Sequence, residues 1–291
     1  MPSLPLLLAQ AFNGLALGSL LALSASGLTI TLGTLGVLNF AHGALFMLGA
    51  YAAFVVLGHT DSFLLAVVAG GGFMVLAGLV IERVVIRLYY DRPAEDQILV
   101  TFGVGILIVE GVRFIFGGLS QRVPLPSWGE GIVQLGFMFY PKYRLEVIGI
   151  VALALLALYL VLYRTRIGLI VRAGIEDPVM VNMLGINVRR AFMLVFAIGV
   201  LAAGFAGMVY APLVSVDPDM GGPFLAESFV VVVIGGLGSF PGAIAGGLIA
   251  GEIISLTSAF NAQYSYVMLY AVMALLLVFQ PQGLFGTEGR V

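Results

Sequence analysis

From Met1 to His59 the chain carries no Asp, Glu, Lys or Arg. A soluble domain spends about a quarter of its residues on charge, so a stretch this long cannot face water. A helix needs about 20 apolar residues to cross a bilayer, and this run has room for two. Further charge-free runs follow at Ser62 to Ile81, Val147 to Tyr163 and Ala191 to Val216. Overall 61% of the 291 residues are hydrophobic and 10% are charged. Ten-residue alternating segments, the mark of a membrane barrel, are absent. The fold class expected is therefore an all-α membrane protein, a polytopic bundle of about seven to eight transmembrane helices forming one domain over 1–291.

Several functions are excluded or disfavoured. A net charge of −2 leaves no nucleic-acid footprint. There is no cysteine, and the two histidines form no HExxH pair, which argues against thiol chemistry and a metal centre. The single lysine, Lys142, follows Pro141 and belongs to no GxxxxGK[ST] loop, so the chain has no phosphate cradle for ATP. No nucleophile elbow or catalytic carboxylate pair is visible, and a transport subunit without enzymatic chemistry or cofactors of its own is expected. Leu6 to Leu23, with Ala22-Leu-Ser24, resembles a secretory signal, but no basic residue precedes it. It is read as the first span.

Spans are expected near 6–30, 41–58, 62–84, 97–117, 145–163, 191–212 and 264–280. Nine of the 13 basic residues fall in three places: Arg83, Arg87 and Arg92; Arg164, Arg166, Arg172, Arg189 and Arg190; and Arg290. The positive-inside rule makes these regions cytoplasmic. The 118–143 loop and Asp217-Pro-Asp219 then face outward, with a periplasmic N-terminus and a cytoplasmic C-terminus. A segment near 226–258 fits no plain span, because Gly235, Gly236, Gly238, Pro241 and Gly242 break the helix. A re-entrant pair is the preferred reading, since broken backbone survives at membrane depth only inside protein or beside a wet cavity. Two full crossings, expected to carry the C-terminus outward, are the alternative. Gly33-Thr-Leu-Gly36 with Asn39, His42 and Gly43 faintly echoes this break. Paired interruptions of that kind point to a transport route.

The hydrophilic segment 164–190 contains a short helix, 178–184, started by Asp177 as N-cap and Pro178, and stopped by Gly185. Val179, Met180, Met183 and Leu184 share one side of it. Such knobs suit a groove on a partner, or equally a lipid surface or the protein's own spans. Ionisable residues within spans are candidates for a pathway. These are Glu110, with Arg113 one turn on, then Glu227, Glu252 and His42, with polar Asn39 beside it. An ion pair for Glu110, a buried hydrogen-bonded carboxyl for Glu252 and backbone satisfaction for His42 are the competing readings. Asn13 and the Gly14/Gly18, Gly242/Gly246 and Gly247/Gly251 pairs read as helix-packing contacts.

Gly27-Leu-Thr-Ile, Leu35 to Tyr51 with Asn39-Phe-Ala-His42-Gly, Asp96 to Gly103, Arg164 to Val188, Gly235 to Ala243 and Pro281 to Gly286 together resemble the H-type permeases of branched-chain amino-acid ABC transporters. The ordered set covers nearly the whole chain, and its first motif is unlike that of the M-type sisters. The resemblance implies a bacterial inner-membrane importer with a second, M-type permease, two ATP-binding cassette subunits and a periplasmic binding protein. ATP and Mg would be bound by the ATPase partners. It makes the 174–187 segment the coupling element, with Glu176, Asp177, Pro178, Met180, Met183, Leu184 and Gly185 at the ATPase. Cargo across such permeases includes leucine, isoleucine and valine, but also urea, short amides and aromatic acids. An ion-coupled secondary transporter using Glu110, Glu227 or Glu252 is the rival from another class.

Overall fold

The computed structural model describes residues 2–90, 92–136 and 138–286, without the side chains of Ile175, Glu176, Pro178 and Val179. Arg290 lies outside the described residues. Helices α1 (Leu4–Leu35) and α2 (His42–Thr60) are followed by a rod in which α3 (Phe63–Leu65), a π-turn (Ala66–Gly70) and α4 (Gly71–Val84) run on continuously. Next come α5 (Ala94–Phe116), a loop carrying strand β1 (Gln121–Arg122) and the hairpin of β2 (Ile132–Gln134) and β3 (Phe139–Pro141), and α6 (Lys142–Arg164). Two short helices, α7 (Arg166–Glu176) and α8 (Pro178–Met183), precede α9 (Val188–Tyr210) and β4 (Ser215–Val216). Three helices close the chain: α10 (Gly221–Gly235), α11 (Phe240–Asn261) and α12 (Ser265–Phe279).

Seven helices among the described residues are long and apolar enough to cross a membrane, the last of them being Phe240–Phe279. That last one is a hairpin. Continued straight, its 40 residues would extend about 60 Å. Instead Asn261 is extended, and Leu284 and Phe285 hydrogen-bond to Ile234 and Gly235, back where α11 began. Separated, α11 has 22 residues and α12 has 15, the same length as the shorter apolar helix α10.

Helix α1 is the central post, with every residue from Gly18 to Thr31 buried. It can be central because it is narrow. A Cβ on Gly18 would stand 2.8 Å from the Gly247 carbonyl oxygen of α11, and one on Gly27 would stand 2.7 Å from that of Gly199 on α9. Without a hydrophobic effect inside lipid, such close backbone approach supplies the dispersion contacts that hold helices together. Large apolar side chains point outward instead, as on α5 (Leu107, Phe114), α6 (Leu153) and α12 (Val278), where lipid or another chain receives them.

Contacts sort the two ends of the bundle. One face gathers the Tyr140–Asn13 bond, β1 paired with β4, Arg113 on Asp219, and Phe63 against Trp128. The other gathers Gly33 on Gly238, Tyr90 against Phe192, and Tyr163 against Phe240. The Arg-rich loops belong to this second face.

Two expectations need correcting. Helix α11 does not turn back half-way: it runs antiparallel to α1 from the Gly238–Gly33 contact to Ser255, whose hydroxyl donates to the Gln10 carbonyl at 2.6 Å. The 22 residues of α11 rise about 33 Å, which is a crossing, so the break at 236–239 is a turn between two helices. Parity corrects the second point. Two crossings, like a re-entrant pair, return the chain to the side it left, and the end of α12 stays on the Arg-rich face. The segment that does climb into the interior is 36–41, part of the first interrupted stretch.

Candidate translocation seam and coupling loop

Gly36 ends α1 in the left-handed region (φ 66), where glycine has no Cβ to clash, and its amide bonds to Leu32. The chain then reverses into the bundle. His42, at the start of α2, bonds through Nε2 to the carbonyl of Ser24 at 2.9 Å. Ser24 is 11 residues above the end of α1, about 16 Å of helix. Between them the backbone is clipped by side chains. Thr101 of α5, fully buried, accepts from the Phe40 amide at 3.1 Å and approaches the Leu38 carbonyl at 3.2 Å. Asn39 accepts from the Ala41 amide at 3.1 Å. Ser24 also meets Ser228 of α10 at 3.0 Å, and Phe40 packs on Phe229 with ring centroids 5.1 Å apart. Gly43 lies directly against Gly221. The structure thus brings Asn39, His42 and Gly43 together with Ser24, Thr101 and Ser228, where α1, α2, α5 and α10 converge. Asn39 Nδ2 and His42 Nδ1, both buried, have no partner among the described residues. Orphaned buried polar atoms cost free energy and mark places built for something other than stability.

The second break adjoins the first at the Arg-rich face. Gly236 and Gly238 hold positive φ (101 and 78), Ser239 caps α11 by accepting from Gly242 at 3.2 Å, and Pro241 sits in its first turn. Residues 281–286 form a strap over the end of α10: Leu284 and Phe285 donate to the Ile234 and Gly235 carbonyls, both at 2.9 Å. The last carbonyls of a helix need external donors, and this strap supplies them.

The carboxylates do not form a cluster. Glu110 is exposed and pairs with Arg113 at 2.5 Å, which also holds Asp219 at 2.7 Å. It borders a 200 Å³ groove shared with Phe40, Gly43 and Gly221. Glu227 is buried and faces the Tyr266 hydroxyl. Glu252 lies over Gly14, where an added Cβ would come within 2.8 Å of its carboxyl carbon. Sequence reasoning passed over Glu82, buried at the Arg-rich end of α4, where it accepts from Tyr90 at 2.8 Å. Burial, and then that bond, push the Tyr90 phenol above its ordinary value.

The loop 164–190 is more structured than expected. Helix α7 was unforeseen. It is capped by Thr165, which accepts from Gly168 at 3.3 Å, and Arg172 stacks over the Tyr163 ring at 5.4 Å. Asp177 caps α8 as anticipated, accepting from Met180 at 2.8 Å, and Gly185 stops it at φ 78. Met180, Met183 and Leu184 are 61%, 82% and 73% exposed, while Val181 is buried. The side chains of Glu176 and Pro178 lie outside the description. Asn182 accepts from the Val188 amide and Asn187 caps α9, so the knobs stand on a fixed base.

The profile of the family described as branched-chain amino acid transport system / permease component matches residues 10–277. The chain belongs to this family. It is 36% identical to the high-affinity branched-chain amino acid transport system permease protein LivH of Salmonella typhimurium, over 96% of this chain and 95% of that one. Its identity to BraD of Pseudomonas aeruginosa, a permease protein of the same description, is 33% over 98% of both. LivM of Escherichia coli is 29% identical over 89% of this chain and 66% of its own length. No solved structure matches. Among branched-chain permeases the chain is thus LivH-like, as its first motif implied. Asn39, His42, Thr101 and the Gly235–Gly242 break all fall within the matched residues.

Proposed function

We propose that this chain is the H-type membrane permease of a bacterial ABC importer, carrying branched-chain amino acids or related small polar molecules across the inner membrane. The observation that carries this reading is the near-full-length relationship to LivH and BraD. The protein works beside an M-type permease, with two ATP-binding cassette subunits hydrolysing ATP and a periplasmic protein delivering cargo. The Arg-rich face is cytoplasmic, and the loop 118–143 faces the periplasm. Helix α8 is the coupling element. Met180, Met183 and Leu184, exposed on a capped and anchored turn, insert into a groove of an ATPase subunit and transmit its closure to α7 and α9. The seam at 36–42, together with the turn 235–242 that meets the end of α1 at Gly33, is the part of the bundle that rearranges as the cargo path opens to either side.

The scattered carboxylates give little support to ion coupling. Affinity purification from native membranes, with co-eluting chains identified by mass spectrometry, tests the proposal. A second permease and a Walker-motif ATPase are expected. A chain that elutes alone, with uptake that survives ATP depletion and stops with an uncoupler, would overturn it.

A further inference from the structure

At the face opposite the Arg-rich loops a cavity of about 240 Å³ opens between α1, α6, α11 and the turn after α9. One wall is polar. Arg144, half-buried, donates to Asn13, which also accepts from the Tyr140 hydroxyl at 2.8 Å. Asn13 in turn donates to the Gln10 side chain at 3.1 Å, and the Ser255 hydroxyl, which donates to the Gln10 backbone carbonyl, also lies 2.8 Å from that side-chain oxygen. The other wall is apolar, made by Leu17, Leu20, Leu213 and Ile254. Arg144 has no carboxylate partner among the described residues, unlike Arg113 and Lys142. A guanidinium carries five donors in a planar fork matched to a carboxylate. It touches the Asn13 side-chain oxygen and faces the Tyr140 hydroxyl, which leaves part of that fork available beside a cavity of amino-acid size.

We infer that this cavity is a receiving subsite for a free amino acid, with Arg144 binding the α-carboxylate and the Leu17, Leu20, Leu213 and Ile254 wall taking a branched aliphatic side chain. Two halves of one pocket thus read the two halves of the molecule. A carboxylate held by a charge-assisted pair, next to an apolar wall, also explains why a half-buried arginine lacks an internal counter-ion.

This inference rests on the importer reading, and its test is arranged so the two can fail separately. Labelled leucine is bound to the purified complete transporter, with 4-methylpentanoate (which keeps the carboxylate and branched chain) and isopentylamine (which keeps the amine and branched chain but lacks the carboxylate) as competitors. Displacement by the acid and not by the amine is expected. Arg144→Gln should weaken leucine binding at least about tenfold, and Arg144→Lys should restore part of it. Lys142→Gln removes a neighbouring cation that lines no part of the cavity, and should bind leucine as the parent does. If Lys142→Gln and Arg144→Gln weaken binding equally, Arg144 acts only through general charge or the fold and the inference is wrong. It is wrong too if native mass spectrometry shows a phospholipid retained by the parent and lost from Arg144→Gln, with leucine binding unchanged. In either case an intact ATP-driven importer would leave the proposed function standing. A complex that imports no amino acid would remove that reading first.

Discussion

Thr101→Val keeps the outline of the side chain and deletes one oxygen, and that oxygen is the clip on the inverted segment 36–41. The hydroxyl has a single proton, and its shortest acceptor is the Gln97 carbonyl of its own helix at 2.8 Å. The Leu38 contact at 3.2 Å is therefore shared, and the firm service Thr101 gives is as acceptor for the Phe40 amide. Valine strands that amide where little water reaches, at a cost of about 1–3 kcal/mol. Taking about 2 kcal/mol, any equilibrium that releases the segment shifts by a factor of about thirty. Thr101→Ser keeps the oxygen and should lose far less. Detergent-titration unfolding of the assembled complex reads the difference, and ATP hydrolysis in the absence of cargo reads whether the loosened seam uncouples the machine. Both variants falling within about 0.5 kcal/mol of the parent would refute the clip, because an unpaired amide at that depth cannot be free of cost.

Replacing Met180 and Met183 with Asp should leave insertion and stability nearly untouched, since both side chains are exposed, yet abolish partner-dependent ATP hydrolysis; unchanged hydrolysis would sink the coupling role of α8. Gly238→Val puts a β-branched residue at φ 78 against Gly33, and should stop transport while the protein still reaches the membrane, as measured by uptake against protein level. Tyr90→Phe strips the donor from buried Glu82 and should cost about 1–3 kcal/mol at neutral pH by the same unfolding titration. The raised Tyr90 phenol means the neutral form is favoured by folding. Its contribution is complete below the ordinary phenol value of about 10 and is lost only as pH climbs toward the folded value, so the difference between Tyr90→Phe and the parent should shrink only in strong alkali.

Helix positions were legible because charge-free length decides them in a membrane. The expected 62–84 is Phe63–Val84 with its π-turn, 145–163 sits within Lys142–Arg164, and 191–212 overlaps Val188–Tyr210. Local chemistry was equally readable at Asp177 and Gly185, whose cap and stop need only neighbours in the chain. The depth of His42 was not readable. Its partner Ser24 is 18 residues away and Thr101 is 61 from Phe40, and hydropathy carries no trace of which polar group on one helix meets which on another. For the same reason 41–58 looked like an ordinary span although it begins in the interior. Helix α7 was hidden by its arginines, which read as a solvated loop until Arg172 stacks on Tyr163. Sequence reasoning passed over Arg144, whose missing counter-ion is a fact about space.

The strap over the end of α10 also sets an order of assembly. The carbonyls of Ile234 and Gly235 are exposed when α10 leaves the ribosome, and their donor at Leu284 lies fifty residues further along the chain. Open carbonyls are costly in hydrocarbon. Helices α10, α11 and α12 therefore settle into the bilayer as one parcel, sealed by the last of it to be synthesised.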